Sequence, residues 1–265
     1  MDKKITIRDI AKQAGVSVAT VSYVINNRTD QRISEETKRK VMQIVNLLDY
    51  TPNSSARSLS TSKTYSIALY MMTETSLLKR SEQLLLIETL SEASTHYGYH
   101  LIIQDNKEID KLNHVDAILC FDTTLDFFLR IGDKNLVPVI AVDCLIDIPW
   151  FFQVCSDYKI LKKNADKHFG VDNYCYICLT PNNELLKSFI CNTFREVKFV
   201  KDLKDFSEIT NQNYVYNQNA LNDLMAENEN SCYIPYDLRS KMDRVYHCID
   251  LAINRIPDME HTQFV

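Results

Sequence analysis

The chain has 265 residues, 45% of them hydrophobic, and a net charge of −5, room for one small domain plus one larger one but with no apolar run near the ~18 residues of a membrane span. Eight cysteines, in a chain whose opening MDKKITIRD has no apolar signal core, predict reduced thiols in a cytoplasmic protein, not a disulfide framework. The charge is divided: residues 1–63 carry eleven Lys and Arg against six Asp and Glu, the rest nineteen against twenty-nine, so a basic head on an acidic body is the part suited to a polyanion.

TIRDIAKQAG opens as a helix, with Thr6 as N-cap and Asp9 a shorter stand-in for the usual capping-box Glu. Ile7, Ile10, Ala11 and Ala14 then recur at i, i+3, i+4 and i+7, one apolar face. Gly15 closes this helix and Ser17 caps the next. In VSVATVSYVIN, residues 16–26, Val21, Val24 and Ile25 share one face; Val18, Ala19, Ser22, Tyr23 and Asn26 share the other. SEETKRKVMQIVNLLDY supplies a third helix, capped by Ser34 with Glu35 and Glu36 in its first turn. Its face Val41, Ile44, Val45, Leu48 completes a three-helix core.

Two short helices joined at a glycine turn form a helix-turn-helix, whose second helix enters the DNA major groove. Its second face carries small residues, a hydroxyl and a phenol but no charge, which permits close approach to base edges. On spacing alone, a bundle corner with a solvated polar face remains the alternative. YTPNSSARSLSTSK follows, a Pro turn and a helix-capable segment over residues 53–60 that is too short to be stable alone in water. Leu59, flanked by Arg57 and Lys63, suits an apolar wedge in the minor groove; by itself the segment also reads as a flexible linker with one incidental leucine.

TIRDIAKQAGVSVATVSYVIN, RISEETKRKV and YTPNSSARSL together resemble the DNA-binding head of the LacI/GalR family of bacterial transcriptional regulators, over about 60 residues in order. The resemblance implies an all-α three-helix head at 1–52, a hinge helix and linker at 53–64, and a reduced, two-lobed α/β periplasmic-binding-protein-like body at 65–265. Carried over by position, Val18, Ala19 and Tyr23 would face bases. Thr6, Ser17, Ser22, Asn26, Ser34, Tyr50 and Asn53 would serve mostly phosphates. Ala56 and Leu59 would enter the minor groove, with Arg57 beside them. Two departures stand out. Tyr23 occupies a position where the family commonly has Arg or His, so the preferred base pair there should differ. The loop NRTDQR is about two residues longer than usual, which gives Arg28 or Arg32 a possible phosphate contact.

From Tyr65 the chain alternates strand-like and helix-like segments: YSIALYM, SEQLLLIETLSEASTHYG, YHLIIQD, VDAILCFD, TLDFFLRIGDK, VPVIAVD. That is the βαβ rhythm of a mostly parallel sheet. FFQVCSD, KILKKNADKHF, NYCYICL and NNELLKSFICNTF begin the rhythm again, which predicts a second lobe. The family's usual effector-contacting Arg aligns near Asn183 and its sugar-binding Asp near Gln218, and about thirty residues before the last helix are missing. Four glycines, about 1.5% against a usual ~7%, leave few tight ligand loops. Small-molecule sensing and a dimerisation scaffold modulated by another protein stay open as roles for the body.

No catalytic or metal set emerges. Cys175 and Cys178 lie three apart on a strand, so they point to opposite faces. His96, His100 and His114 lie near helix–strand junctions without metal spacing, and His168 and His247 read as surface or packing residues in helices. Asp202, Asp205 and Glu208 read as a solvated face. The expectation is a non-enzymatic, nucleoid-associated regulator, a homodimeric repressor on a double-stranded pseudo-palindromic operator, with no cofactor, metal or membrane. The alternatives are an architectural DNA-bending protein and a ligand sensor with a vestigial head.

Overall fold

The structure is a computed structural model and describes residues 5–26, 31–50, 63–208, 212–256 and 260–265. It divides into two units, Met1–Ser62 and Lys63–Val265.

In the first unit, helix α1 spans Ile7–Ala14, α2 Val18–Ile25 and α3 Glu35–Leu47. Each start is fixed by a local side chain. The Asp9 carboxylate accepts the Thr6 backbone N–H at 2.9 Å and the Thr6 hydroxyl at 2.7 Å. Ser17 accepts Thr20 N–H at 3.0 Å, and Ser34 accepts Thr37 N–H at 3.2 Å. Gly15 ends α1 in the left-handed region at φ 69°, which turns the chain toward α2 within three residues. Ile10, Ala11, Ala14, Val21, Val41 and Val45 are buried together, with Ile7, Val24, Ile25, Ile44, Leu48 and Tyr50 packed around them. The small alanines of α1 let the helices approach closely, and the expected three-helix core is present. The predicted hinge residues Asn53, Ala56, Arg57 and Leu59 lie outside the described residues, as does Arg28.

The second unit starts firmly. The Asp116 carboxylate takes the N–H groups of Thr64 and Tyr65, at 2.6 and 2.8 Å, and the Thr64 hydroxyl at 2.9 Å. Its first lobe is a six-stranded parallel sheet in the order β10-β5-β4-β3-β1-β2. The strands are β1 Ser66–Met71, β2 His100–Ile103, β3 Ala117–Phe121, β4 Val139–Val142, β5 Gln153–Cys155 and β10 Thr262–Phe264. Helices α4 (Leu77–His96) and α9 (Leu238–Ile253) cover one face through Leu86, Leu90, Met242, Val245 and Ile249. Helix α5 (Leu125–Lys134) covers the other through Phe127, Phe128 and Ile131.

The second lobe is a four-stranded parallel sheet, β7-β6-β8-β9. Its strands are β6 Cys175–Leu179, β7 Val197–Val200, β8 Tyr214–Tyr216 and β9 Ser231–Tyr233. Helices α6 (Tyr158–Phe169) and α7 (Glu184–Thr193) pack on one face, and the short α8 (Asn219–Met225) on the other. Strands buried on both faces read as continuous apolar runs, as in CYICL and AILCF.

One sequence expectation is corrected. FFQVCSD does not open the second lobe: its strand β5 pairs with β4 and β10 in the first sheet, and the chain crosses over only afterwards, into α6. Helix α4 also begins earlier than its pattern suggested, at Leu77 behind the N-cap Ser76.

Candidate nucleic-acid interface and inter-lobe cleft

The outward face of α2 is built by difference. Val21 is fully buried beneath it, and the side opposite carries Val18, 42% exposed, with Ala19 and Asn26 exposed and Ser22 and Tyr23 half-buried. Asn26 is held against its own helix, its amide donating to the Ser22 carbonyl at 2.8 Å and lying 3.3 Å from the Ser22 hydroxyl. These five side chains thus form one uncharged surface, with Asn26 held in place by Ser22. Thr6, Ser17 and Ser34, expected near phosphates, sit at the N-termini of α1, α2 and α3, where free backbone N–H groups and the helix dipole favour an anion. Their hydroxyls are already engaged within the turn, a role the sequence signalled through their i, i+3 partners Asp9, Thr20 and Thr37. Tyr50 packs at the edge of the core, its N–H bonded to the Val45 carbonyl. Arg32 is exposed.

The body's cleft lies where the carboxyl ends of β3, β4 and β6 meet α4, α8 and α9, lined among others by Lys79, Glu82, Asp122, Asp143, Tyr236 and Lys241. Open α/β sheets place sites at the carboxyl ends of their strands. Asp122 and Asp143, the residues following β3 and β4, both take left-handed backbone conformations, φ 45° and 49°. Each aims its carboxylate at a buried lysine. Lys79, from the first turn of α4, lies 2.9 Å from Asp122 and 2.8 Å from Glu74. Lys241, from α9, is 1% exposed; it donates to both Asp143 oxygens at 2.9 Å and to the Ser156 hydroxyl at 2.7 Å, with the Tyr236 ring 4.9 Å away.

Two carboxylates share the Lys79 ammonium, so a buried negative charge stays uncompensated there. Burial accordingly pushes the Asp122 carboxyl up to about 6, against the opposing pull of Lys79. Burial also raises Glu82, whose carboxylate accepts Ala220 N–H at 2.6 Å and the Tyr236 hydroxyl at 3.2 Å.

Of the two residues aligned with effector contacts, only Gln218 lines this cleft, and its side-chain oxygen accepts Leu179 N–H at 2.6 Å. Asn183 is wholly buried as the N-cap of α7, its amide group bonded to both backbone groups of Leu145. Sequence reading missed Lys79, Lys241 and their carboxylates. The available signal was an acidic residue closing an apolar strand, twice: AILCFD and VIAVD.

All eight cysteines are free. Cys175 and Cys178 enter different apolar clusters on opposite faces of β6, as the strand reading required. Burial raises both thiols, which makes them poor nucleophiles. Among the described residues, no group of His, Cys, Asp and Glu is arranged to hold a metal ion, and no helix is long and apolar enough to cross a membrane. His168 and His247 are exposed on α6 and α9; Asp205 accepts the N–H groups of Lys201 and Asp202 in an exposed turn.

The profile described as "Bacterial regulatory proteins, lacI family" matches residues 6–53, the segment carrying all three head helices. Over this segment the chain is of the lacI family. Among similar lacI-type sequences, the HTH-type transcriptional regulator RegA of Clostridium acetobutylicum is 36% identical over 183 residues, 67% of this chain and 48% of that one. The probable HTH-type transcriptional repressor ExuR of Bacillus subtilis is 30% identical over 195 residues, 69% of this chain and 56% of that one. The catabolite control protein A of Streptococcus mutans is 32% identical over 44% of this chain and 34% of that one. These alignments span about half or less of the relatives' length.

In fold, the chain resembles the Lac repressor bound to ONPG, with a TM-score of 0.60 at 14% identity, covering 99% of this chain and 97% of that one. The three-helix head and two-lobed, periplasmic-binding-protein-like body therefore share an architecture with that repressor. A transcription regulator like protein from Staphylococcus haemolyticus aligns with 77% of this chain and 95% of that one, at a TM-score of 0.52 and 11% identity.

Proposed function

We propose that this chain is a sequence-specific transcriptional repressor that acts in the bacterial cytoplasm as a homodimer on a pseudo-palindromic DNA operator. The observation that carries the reading is the face of α2: an outward, uncharged set in which Val18, Ala19 and Asn26 are exposed and Ser22 and Tyr23 half-buried, on the second helix of a helix-turn-helix. Small side chains allow the helix to seat deeply in the major groove, where base edges are distinguishable. Thr6, Ser17, Ser34 and Tyr50 flank it toward phosphates, fixing register without reading sequence. Segment 53–64 acts as a hinge in which Asn53 serves a phosphate, Arg57 adds charge, and Ala56 and Leu59 enter the minor groove. The relatives' names, regulators and a probable repressor, support the reading.

The test is selection of the purified chain against a randomised duplex pool at near-physiological salt. An enriched inverted repeat with a fixed central step is the expected result, since two-fold protein symmetry is mirrored in half-site spacing. Single half-sites would remove the dimer from the reading. Absence of any enrichment would favour an architectural DNA-bending protein.

A further inference from the structure

The inter-lobe cleft is full before any ligand arrives. Its free volume is about 70 Å³, against the ~300 Å³ at which small-molecule pockets begin. The space is taken by Lys79 and Lys241, two ammonium groups that enter from α4 and α9 and are bound much as a ligand amine would be. Lys241 has two carboxylate oxygens, a hydroxyl and an aromatic ring around it; Lys79 has two carboxylates.

The two carboxylates paired with Lys79 are also gripped by the other lobe. Asn182, in the turn between β6 and α7, donates its backbone N–H to Asp122 at 2.8 Å. Its side-chain amide donates to Glu74 at 2.6 Å and to a second Asp122 oxygen at 3.0 Å. On the far side of the cleft, Glu82 of α4 accepts the N–H of Ala220 in the first turn of α8. Asn183 adds uncharged ties, bonding both backbone groups of Leu145 after β4 and donating to the Thr123 carbonyl at 3.5 Å. Leu78, one residue before Lys79, is buried in the second lobe's own apolar cluster with Ile177, Leu179 and Leu221. Charge-assisted bonds of this kind are stronger than neutral ones and are shielded here from water.

We propose that the cleft is latched by the chain itself: Lys79 and Lys241 stand in for a bound effector, Asn182 locks onto the two carboxylates paired with Lys79 and α8 locks onto Glu82, holding the lobes closed with no small molecule present. A lysine supplied by the chain is always at saturating concentration, so the body keeps one lobe arrangement whatever the solute. A ligand able to shift such an equilibrium would have to favour the other arrangement by more than the latch favours this one.

The latch is read directly by residue-resolved hydrogen exchange on the full chain, after unfolding and refolding to strip any carried ligand. The probes are the backbone N–H groups of Asn182 and Ala220, whose acceptors lie across the cleft. Ile118 N–H, bonded to the Pro138 carbonyl inside the first sheet, reports global unfolding. Both probes should exchange at least about 100-fold more slowly than an open loop in the ligand-free chain. Exchange of both at loop rates overturns the proposal. In Glu82→Ala, the untouched Asn182 N–H should lose protection by about tenfold or more while Ile118 holds, because the ties act as one unit. Unchanged Asn182 protection there also overturns it. If Ile118 loosens as well, that variant is unfolding and Asn182→Ala replaces it, read at Ala220 N–H with the same two outcomes. No DNA enters this experiment, so its failure leaves the DNA-binding reading standing.

Discussion

Tyr23 and Asp122 are the two side chains whose chemistry bears most directly on behaviour. A phenol offers one hydrogen bond and a ring edge where an arginine would grip guanine with two donors. Tyr23→Ala should cost about 0.5–1.5 kcal/mol of specific binding, the net worth of one neutral hydrogen bond, and leave non-specific binding nearly unchanged. Tyr23→Arg should move the selected base at one symmetric pair of operator positions; an unaltered consensus would remove Tyr23 from the base-reading set. Asp122 contributes a pH dependence in the same direction as Glu82, whose carboxyl burial also raises. The Asp122 carboxyl titrates at about 6 in the folded body against 3.8 for the free group. Between those values the folded chain binds more protons than the unfolded one, so this group adds stability as pH falls through 6 and removes it as pH rises. Glu74, Lys79 and Asn182 face it directly, with Asp143 and Lys241 on the neighbouring strand end and helix. Melting of the body from pH 7 to pH 5 should therefore show a stabilising component that Asp122→Asn lacks. Parallel curves for the two proteins would contradict the assignment.

The turn between α1 and α2 tests the head at the level of its elements. Gly15 has φ 69°, and a Cβ there would meet nothing within 4 Å, so the whole cost of a side chain is backbone strain. Gly15→Ala should destabilise the head by about 1–2 kcal/mol, visible as a lower first unfolding transition without loss of the body's. The capping of α1, α2 and α3 was legible in sequence because each cap and its partner lie three residues apart. So were the apolar stripe of Ile10, Ala11 and Ala14 and the strand–helix rhythm of the body. What periodicity left open was allegiance: alternation marks FFQVCSD as a strand but says nothing of which sheet receives it. The cleft was illegible for the same reason. Asn182 meets Asp122 across 60 positions, Lys241 meets Asp143 across 98 and Ala220 meets Glu82 across 138, so no local spacing encodes the site. Only the acidic residue that ends β3 and again β4 hinted at it.

Over the whole molecule, charge and topology set the remaining expectations. A head of net positive charge on a body of net negative charge makes DNA affinity steeply salt-dependent. For six to ten phosphate contacts, affinity should fall by about 10³–10⁵ between roughly 50 and 200 mM salt. A titration by fluorescence anisotropy that stays flat over this range would argue against phosphate anchoring by the head. Topology acts on a different axis, that of time. Strand β10 completes the ladder beside β5, pairing Thr262 with Gln153 and Phe264 with Cys155. The entire second lobe is therefore translated between two neighbouring strands of the first sheet. A nascent chain can zip β2, β1, β3, β4 and β5 together early, yet the outer edge of β5 stays bare until residue 262 emerges. At about 5–20 residues per second that interval lasts on the order of ten seconds. Throughout it, a second ribosome-bound copy offers the same naked edge and the same missing strand, so crowded polysomes set an upper limit on the rate at which this chain can be made without strand exchange between neighbours.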